Sequence, residues 1–401
     1  MTRISLKRMT MAMAVAGLVG GGASGCGSSG GTVTGSGGTV GSGGSPTGSG
    51  GEMGSGGAPG SGGTPGSGGA PGSGGTVVDT GGSGGSAPDA PVDVPREVGS
   101  GLHGGTSGRY ICPAGGNYAG MTPMLSGAMM MSTGANTLNG EGPIWISSLN
   151  TLLYTSKSSN EVIRLMWKLV PPNAAQVAVK MGIGNNGMTL DQDDKVVSAD
   201  HQRSAIVRID PATGDFIETV VEQYNGNFFK SPNDLVIRYD GNIYFSDPAY
   251  FQTQGKTPKT ASTAFYRVSP TKQVSIIENT GTRDPNGVTL SADDNTLYTV
   301  VTADRLVKKW ALNADGSING AGTTFVPMTG PTPDGMCTDC AGNIYVSTQS
   351  GLEVYSPAGM RLANLGTRAI NCSFGGADHK TLFVTTDTHV WYATVNIPGL
   401  P

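Results

Sequence analysis

The chain has 401 residues, 66 of them glycine, a formal net charge of −4 and only 13 % charged residues. With no Lys/Arg stripe in its C-terminal part, that balance excludes nucleic acid as an expected partner. Beyond the N-terminus, no stretch approaches the apolar length of a membrane span.

The first residues read as an export signal. Arg3, Lys7 and Arg8 precede an apolar stretch from Met9 to Val19, and small residues then lead to Cys26. Ala23-Ser24-Gly25-Cys26 resembles a bacterial lipoprotein box, in which the cysteine becomes the lipidated N-terminus, although Ala23 stands where leucine is usual. Ordinary secretion with cleavage near Ala23 is the alternative. Residues 1–25 are thus expected to be a lipoprotein-type signal peptide. The expected location is the outer membrane or cell surface, or the periplasm or medium, with membrane contact only through the lipid. Residues 26–104 are expected to be a disordered tether, since the stretch from about Gly27 to Gly101 is almost wholly Gly, Ser, Thr and Pro, with too little apolar surface to offset chain entropy. Residues 105–401 leave about 300 for one large β domain, expected to be a monomer.

Within that domain six segments begin alike. They are Glu141-Gly142-Pro143, Asn186-Gly187-Met188, Asn233-Asp234-Leu235, Asn286-Gly287-Val288, Asp334-Gly335-Met336 and Asn371-Cys372-Ser373. Each opens with a carboxylate or carboxamide and runs into a short strand-like stretch. They recur at roughly 40–50 residues, the period of a β-propeller blade, a four-stranded sheet. Turns rich in Asp, Asn and Gly lead from these starts to second strands such as Ile243-Tyr244-Phe245 and Ile344-Tyr345-Val346. Alternating third strands follow, such as Ala205-Ile206-Val207-Arg208-Ile209, with weaker fourth strands after them. The fold class is all-β, a six-bladed propeller, and residues between Arg109 and Leu138 are expected to supply a strand that closes the ring. Equivalent strand starts then face one central pocket. Their side chains form a ring of oxygen ligands that suits Ca²⁺ or Mg²⁺ rather than a soft metal.

Setting Cys26 aside leaves Cys112, Cys337, Cys340 and Cys372, an even number in an oxidising compartment, so at least one structural disulfide is expected. Cys112–Cys340 is one pairing that would pin the lead-in segment to a blade; the connectivity stays open. Cys337-Thr338-Asp339-Cys340 has thioredoxin spacing but runs from a strand into a turn, without the helix N-terminus that activates a redox thiol.

In series, the six starts resemble the regucalcin/gluconolactonase (senescence-marker-protein) family of calcium-dependent six-bladed lactonases and esterases. Ser231-Pro232-Asn233-Asp234, Ser246-Asp247-Pro248-Ala249-Tyr250, Pro285-Asn286-Gly287 and Pro333-Asp334-Gly335 carry the resemblance with them. It implies that Glu141, Asn233, Asn286 and Asp334 hold one divalent ion, Ca²⁺ by default, with Mg²⁺, Mn²⁺ or Zn²⁺ as alternatives. It also implies that Asn186 and His201 line the substrate pocket, where Asp234 and Tyr250 join them as substrate-binding candidates. Where the bacterial gluconolactonase branch has a Glu-His pair, this chain has Asp200-His201. Where the regucalcin branch favours Arg, it has Ser231-Pro232, which leaves that branch's sugar-acid specificity open.

The implied reaction is hydrolysis of a lactone or related ester, a sugar lactone by default. Asp334 is the first candidate to orient the attacking water, and His201 is the rival base, because an imidazole ordinarily titrates near neutral pH. Asn and Asp before Gly are also favoured by turn geometry alone, and for Asn371 the turn role weighs more. No Gly-x-Ser-x-Gly elbow occurs in the globular part, so serine catalysis finds no support. The competing reading is a non-catalytic surface module that keeps the metal for structure or ligand capture.

Overall fold

The computed structural model describes Cys112 and residues 116–130, 138–157, 164–170, 173–366 and 368–401. The signal segment, Cys26 and the Gly/Ser-rich tether lie outside the described residues. Each repeated start leads into an innermost strand, and antiparallel hairpins then carry the chain outward through each blade. Blade 1 runs Leu138–Ile146, Thr151–Lys157, Arg164–Val170 and Asn173–Ile183. Blade 2 begins at Asn185–Leu190, blade 3 at Leu235–Ile237, blade 4 at Pro285–Leu290 and blade 5 at Met336–Thr338. Blade 6 holds Asn371–Gly375, Thr381–Thr385 and Val390–Val395, and its outermost strand is Leu125–Met130, from ahead of blade 1. The ring therefore closes as the sequence suggests, with first and last parts of the domain sharing one sheet.

Burial follows the strand patterns. Innermost strands are buried on both faces, because each packs against its own blade and against the next innermost strand around the axis. Between blades lie apolar layers, such as Ile144, Ile146 and Leu153 against Met188, Leu190 and Val207. At the closure, Trp145 of blade 1 stacks on Phe383 of blade 6 with ring centroids 5.6 Å apart.

The repeated glycine has a cause other than turn chemistry. Gly187 and Gly287 lie within innermost strands without positive φ, and a Cβ on either would strike the neighbouring blade. It would sit 2.7 Å from the Asn233 carbonyl oxygen at Gly187 and 2.2 Å from the Asp334 carbonyl oxygen at Gly287. Glycine here lets adjacent strand starts close around the axis. Two disulfides form, Cys112–Cys340 and Cys337–Cys372. The first ties the lead-in segment to blade 5, and the second joins the innermost strands of blades 5 and 6. The Cys-x-x-Cys cysteines are thus partnered with different residues and not with each other.

Opposite the strand starts, residues after Val395 turn under the ring. Leu400 N–H donates to the Thr338 carbonyl at 2.9 Å, and Cys340 N–H to the Pro398 carbonyl at 2.8 Å. Leu400 and Pro401 thereby line the axial channel together with Leu190, Ile237 and Leu290. Among the described residues, no helix is long and apolar enough to cross a membrane.

Candidate active site

At the strand-start end of the axis a cavity of ≈ 360 Å³ opens to solvent. Glu141, Asn233, Asn286 and Asp334 all line it, with Asn139, Lys157, Tyr250, Phe251, Thr302 and Thr332. Four starts from blades 1, 3, 4 and 5 thus converge on one space. Among the described residues, no three His, Cys, Asp or Glu side chains gather as a metal cluster. The donor set here is two carboxylates and two carboxamides, all hard oxygen donors.

Each side chain is positioned by its neighbours. Asn286 donates its amide N–H groups to the Tyr250 hydroxyl at 3.3 Å and to Thr302 Oγ1 at 3.1 Å. Thr302 in turn donates to the Pro333 carbonyl at 2.9 Å, which joins blade 4 to the residue before Asp334. With its nitrogen held this way, Asn286 Oδ1 is buried and has no hydrogen-bond partner among the described residues. Asn371 behaves oppositely. Its oxygen accepts the Cys372 N–H at 2.8 Å, and its nitrogen donates to Glu141 Oε2 at 3.4 Å. Asn371 therefore holds Glu141 across the ring closure, and its oxygen is already engaged.

The Ser246-Asp247-Pro248 stretch acts as a clamp. Asp247 is fully buried and accepts the Lys230 and Ser231 N–H groups at 2.9 and 2.7 Å, while Ser231 Oγ donates to the Pro248 carbonyl at 2.9 Å. These bonds fix the approach to Asn233 and the loop that carries Tyr250. Burial pushes the Asp247 carboxyl up to about 7, against the pull of the two N–H groups and of Lys259. Tyr250 leaves part of its surface in solvent, but burial of its hydroxyl, with Asp334 nearby, holds the phenol well above its usual range.

Three expected site residues stand off the pocket wall. Asp234 lines the axial channel beneath it, where its Oδ1 accepts the Leu235 N–H at 3.0 Å. Its carboxyl is pushed up to about 8, first by burial and then by Glu141, while the Leu235 and Val288 N–H groups and the Asn371 amide pull it back. His201 is 1 % exposed and stacks behind Phe251, ring centroids 4.5 Å apart, so Phe251 presents the surface there. Asn186 is fully buried, and neither polar atom of its amide has a hydrogen-bond partner among the described residues. Sequence reasoning missed Lys157, Asn139, Phe251, Thr302 and Thr332; each except Asn139 follows a strand or loop signal that carries no chemistry by itself.

Fold and pocket together define a six-bladed propeller with an oxygen-rich small-molecule pocket at one end of its axis. The chain belongs to the SMP-30/gluconolactonase/LRE-like family, whose pattern matches residues 139–388. It is 30 % identical over 312 residues to a gluconolactonase of Zymomonas mobilis, covering 69 % of this chain and 85 % of that one. Its fold matches a gluconolactonase structure from Xanthomonas campestris with a TM-score of 0.60 and 25 % identity, over 75 % of this chain and 99 % of that one. It also matches a regucalcin from Agrobacterium tumefaciens described as calcium-binding, with a TM-score of 0.55 and 19 % identity, over 69 % and 95 % of the two chains; this last likeness is one of fold.

Proposed function

We propose that this lactonase-type hydrolase opens the ring of a small lactone, a sugar lactone by default, in the axial pocket with a divalent cation held by Glu141, Asn233, Asn286 and Asp334. The observation that carries this reading is the Asn286 amide, whose nitrogen is fixed by Tyr250 and Thr302 while its buried oxygen has no partner. A buried acceptor in that state costs free energy unless a ligand satisfies it. Two carboxylates match the charge of a divalent ion, and the all-oxygen set favours Ca²⁺. When bound, such an ion polarises a carbonyl and favours the oxyanion that develops from it.

The chain's own groups do the rest. Asp334 is half-buried at the pocket wall and orients the attacking water, taking its proton as the water adds to the carbonyl and returning it to the ring oxygen as the ester C–O bond breaks. Glu141 is kept in place by Asn371. Phe251, backed by His201, forms an apolar flank against which a ring can rest. Asn186 is kept as a substrate-side candidate because neither polar atom of its buried amide has a partner among the described residues. His201 lies behind Phe251, so Asp334 is the base we favour. Export, lipidation at Cys26 and a monomeric state complete the proposal. Mass spectrometry of the mature N-terminus and the elution volume of the purified protein test them.

The direct test is kinetic. The purified protein is expected to hydrolyse members of a lactone panel, to lose that activity on chelation and to regain it with Ca²⁺. A metal-loaded protein inert towards sugar, aliphatic and aryl lactones would favour a binding module instead.

A further inference from the structure

Lys157 is the last residue of blade 1's second strand, which pairs Thr155 with Glu141 and places Lys157 one step further toward the pocket mouth. Thr155 and Lys157 are two residues apart and so lie on one face of the strand. Lys157 lines the same cavity as Glu141 and Asp334. It is half-buried, yet it makes no ion pair or hydrogen bond with either carboxylate or with any other described residue. Other basic groups toward this end are engaged: Arg203 with Asp200, Arg283 with Asp304 and Arg368 with Asp387. An ammonium on the pocket wall with no partner among the described residues is available to an anionic group that enters the cavity.

We infer that Lys157 selects lactones that carry an anionic substituent, a carboxylate or phosphate, remote from the ring ester. This rests on the lactonase reading above. With a divalent ion balancing Glu141 and Asp334, Lys157 leaves the pocket net positive, so an anionic group on the substrate has a single complement there. The cavity, ≈ 360 Å³, lies at the small end of ligand pockets and suits a substrate of monosaccharide size. The flexible lysine stem provides a point charge that reaches either kind of anion, without the planar fork that would favour one.

The test compares D-glucono-1,4-lactone, which is neutral, with D-glucaro-1,4-lactone, the same ring bearing a free carboxylate, and with 6-phospho-D-gluconolactone as the phosphate arm. All are measured with full-length protein at saturating Ca²⁺. Wild type is expected to favour at least one anionic lactone in kcat/KM by tenfold or more, with a KM for it that rises with ionic strength. Lys157→Met is expected to lower the anionic-to-neutral ratio at least tenfold, while Lys157→Arg keeps most of it. Which anion leads distinguishes the carboxylate source from the phosphate source. Turnover of the neutral lactone with no preference for either anion, or a ratio unchanged in Lys157→Met, overturns this inference and leaves the lactonase reading standing. Absence of turnover on all three overturns both.

Discussion

The two ends of the propeller axis are made by the same six strands and have opposite character. At the mouth, the strands begin with Glu141, Asn233, Asn286 and Asp334, and buried polar atoms such as Asn286 Oδ1 lack partners. Toward the floor the same strands present Leu190, Ile237 and Leu290, and the segment ending in Leu400 and Pro401 packs beneath them. The floor is also stapled. Cys337–Cys372 links two innermost strands, and buried Arg238 of blade 3 donates to the Asp294 and Ala314 carbonyls of blade 4 at 3.0 Å each. One end is closed by packing, backbone bonds and a disulfide, and the other leaves a buried acceptor, Asn286 Oδ1, open toward the cavity. That division is expected where stability and ligand binding are assigned to different parts of one scaffold.

The sharpest way to break the comparison is to remove a mouth carboxylate. Asp334→Ala is expected to lower kcat/KM by about a thousandfold or more, about 4 kcal/mol of transition-state stabilisation. Unfolding stability should shift by no more than about 1 kcal/mol, because Asp334 is half-buried on the wall of the mouth cavity, outside the apolar layers between blades. Steady-state kinetics and urea unfolding on the same preparation check both halves. A large loss of stability would show that the mouth also holds the ring together.

The floor should respond in the opposite sense. The Cys337–Cys372 bridge closes a separation of 35 residues, for which loop-closure entropy gives about 3 to 4 kcal/mol. The double variant Cys337→Ser, Cys372→Ser is expected to lose stability on that scale while each folded molecule keeps its activity to within about threefold. Because Cys337 follows Asp334 by three residues, a collapse of activity in still-folded protein would mean that the floor also sets the mouth's geometry.

Acid should act on the floor through His379. This residue sits in the turn after blade 6's innermost strand, 5 % exposed, and its carbonyl accepts the Gly399 N–H at 2.9 Å. Burial lowers its pKa from 6.5 to about 4, with Asp378 opposing. Between those values the unfolded chain binds a proton that the folded one rejects, so stability falls as pH drops from about 6.5 toward 4. The limit is about 3 kcal/mol. Chemical denaturation across this range should show a loss that His379→Gln lessens; equal pH slopes in the two proteins would remove His379 from the account.

How far the sequence disclosed this division follows from the physics of each feature. Strand starts, blade count and ring closure were legible because apolar runs and turn residues repeat with the blade, and a circular fold joins its ends. The glycine after each start was visible but its reason was not: turn preference explains Asn-Gly locally, whereas Gly187 and Gly287 are required by a neighbouring blade about fifty residues on. Asn286 and Asn371 occupy the same repeat position and cannot be told apart by composition. Only the partners of each amide separate them, and for Asn371 the partner is Glu141, 230 residues away. His201 and Asp234 were placed on the pocket wall because a motif gives neighbours in sequence without the direction of each side chain. Lys157 was silent, being the end of an ordinary strand.

The smallest effect tests the join between the two regions. Asn371 begins a mouth position but bonds like a floor residue, with its oxygen on Cys372 N–H and its nitrogen on Glu141. If it serves as a positioning residue, Asn371→Ala frees the Glu141 carboxylate and leaves the four oxygen donors present. Catalytic efficiency is then expected to fall about tenfold, roughly 1.4 kcal/mol, mainly through weaker Ca²⁺ affinity, with kcat at saturating Ca²⁺ much less affected. Asn371→Asp should be worse, since it sets a second negative charge beside Glu141 in place of a hydrogen-bond donor. A calcium titration of activity reads the difference. Unchanged half-saturation in Asn371→Ala, with kcat alone reduced, would mean that Asn371 acts on the reacting groups directly and belongs with the mouth after all.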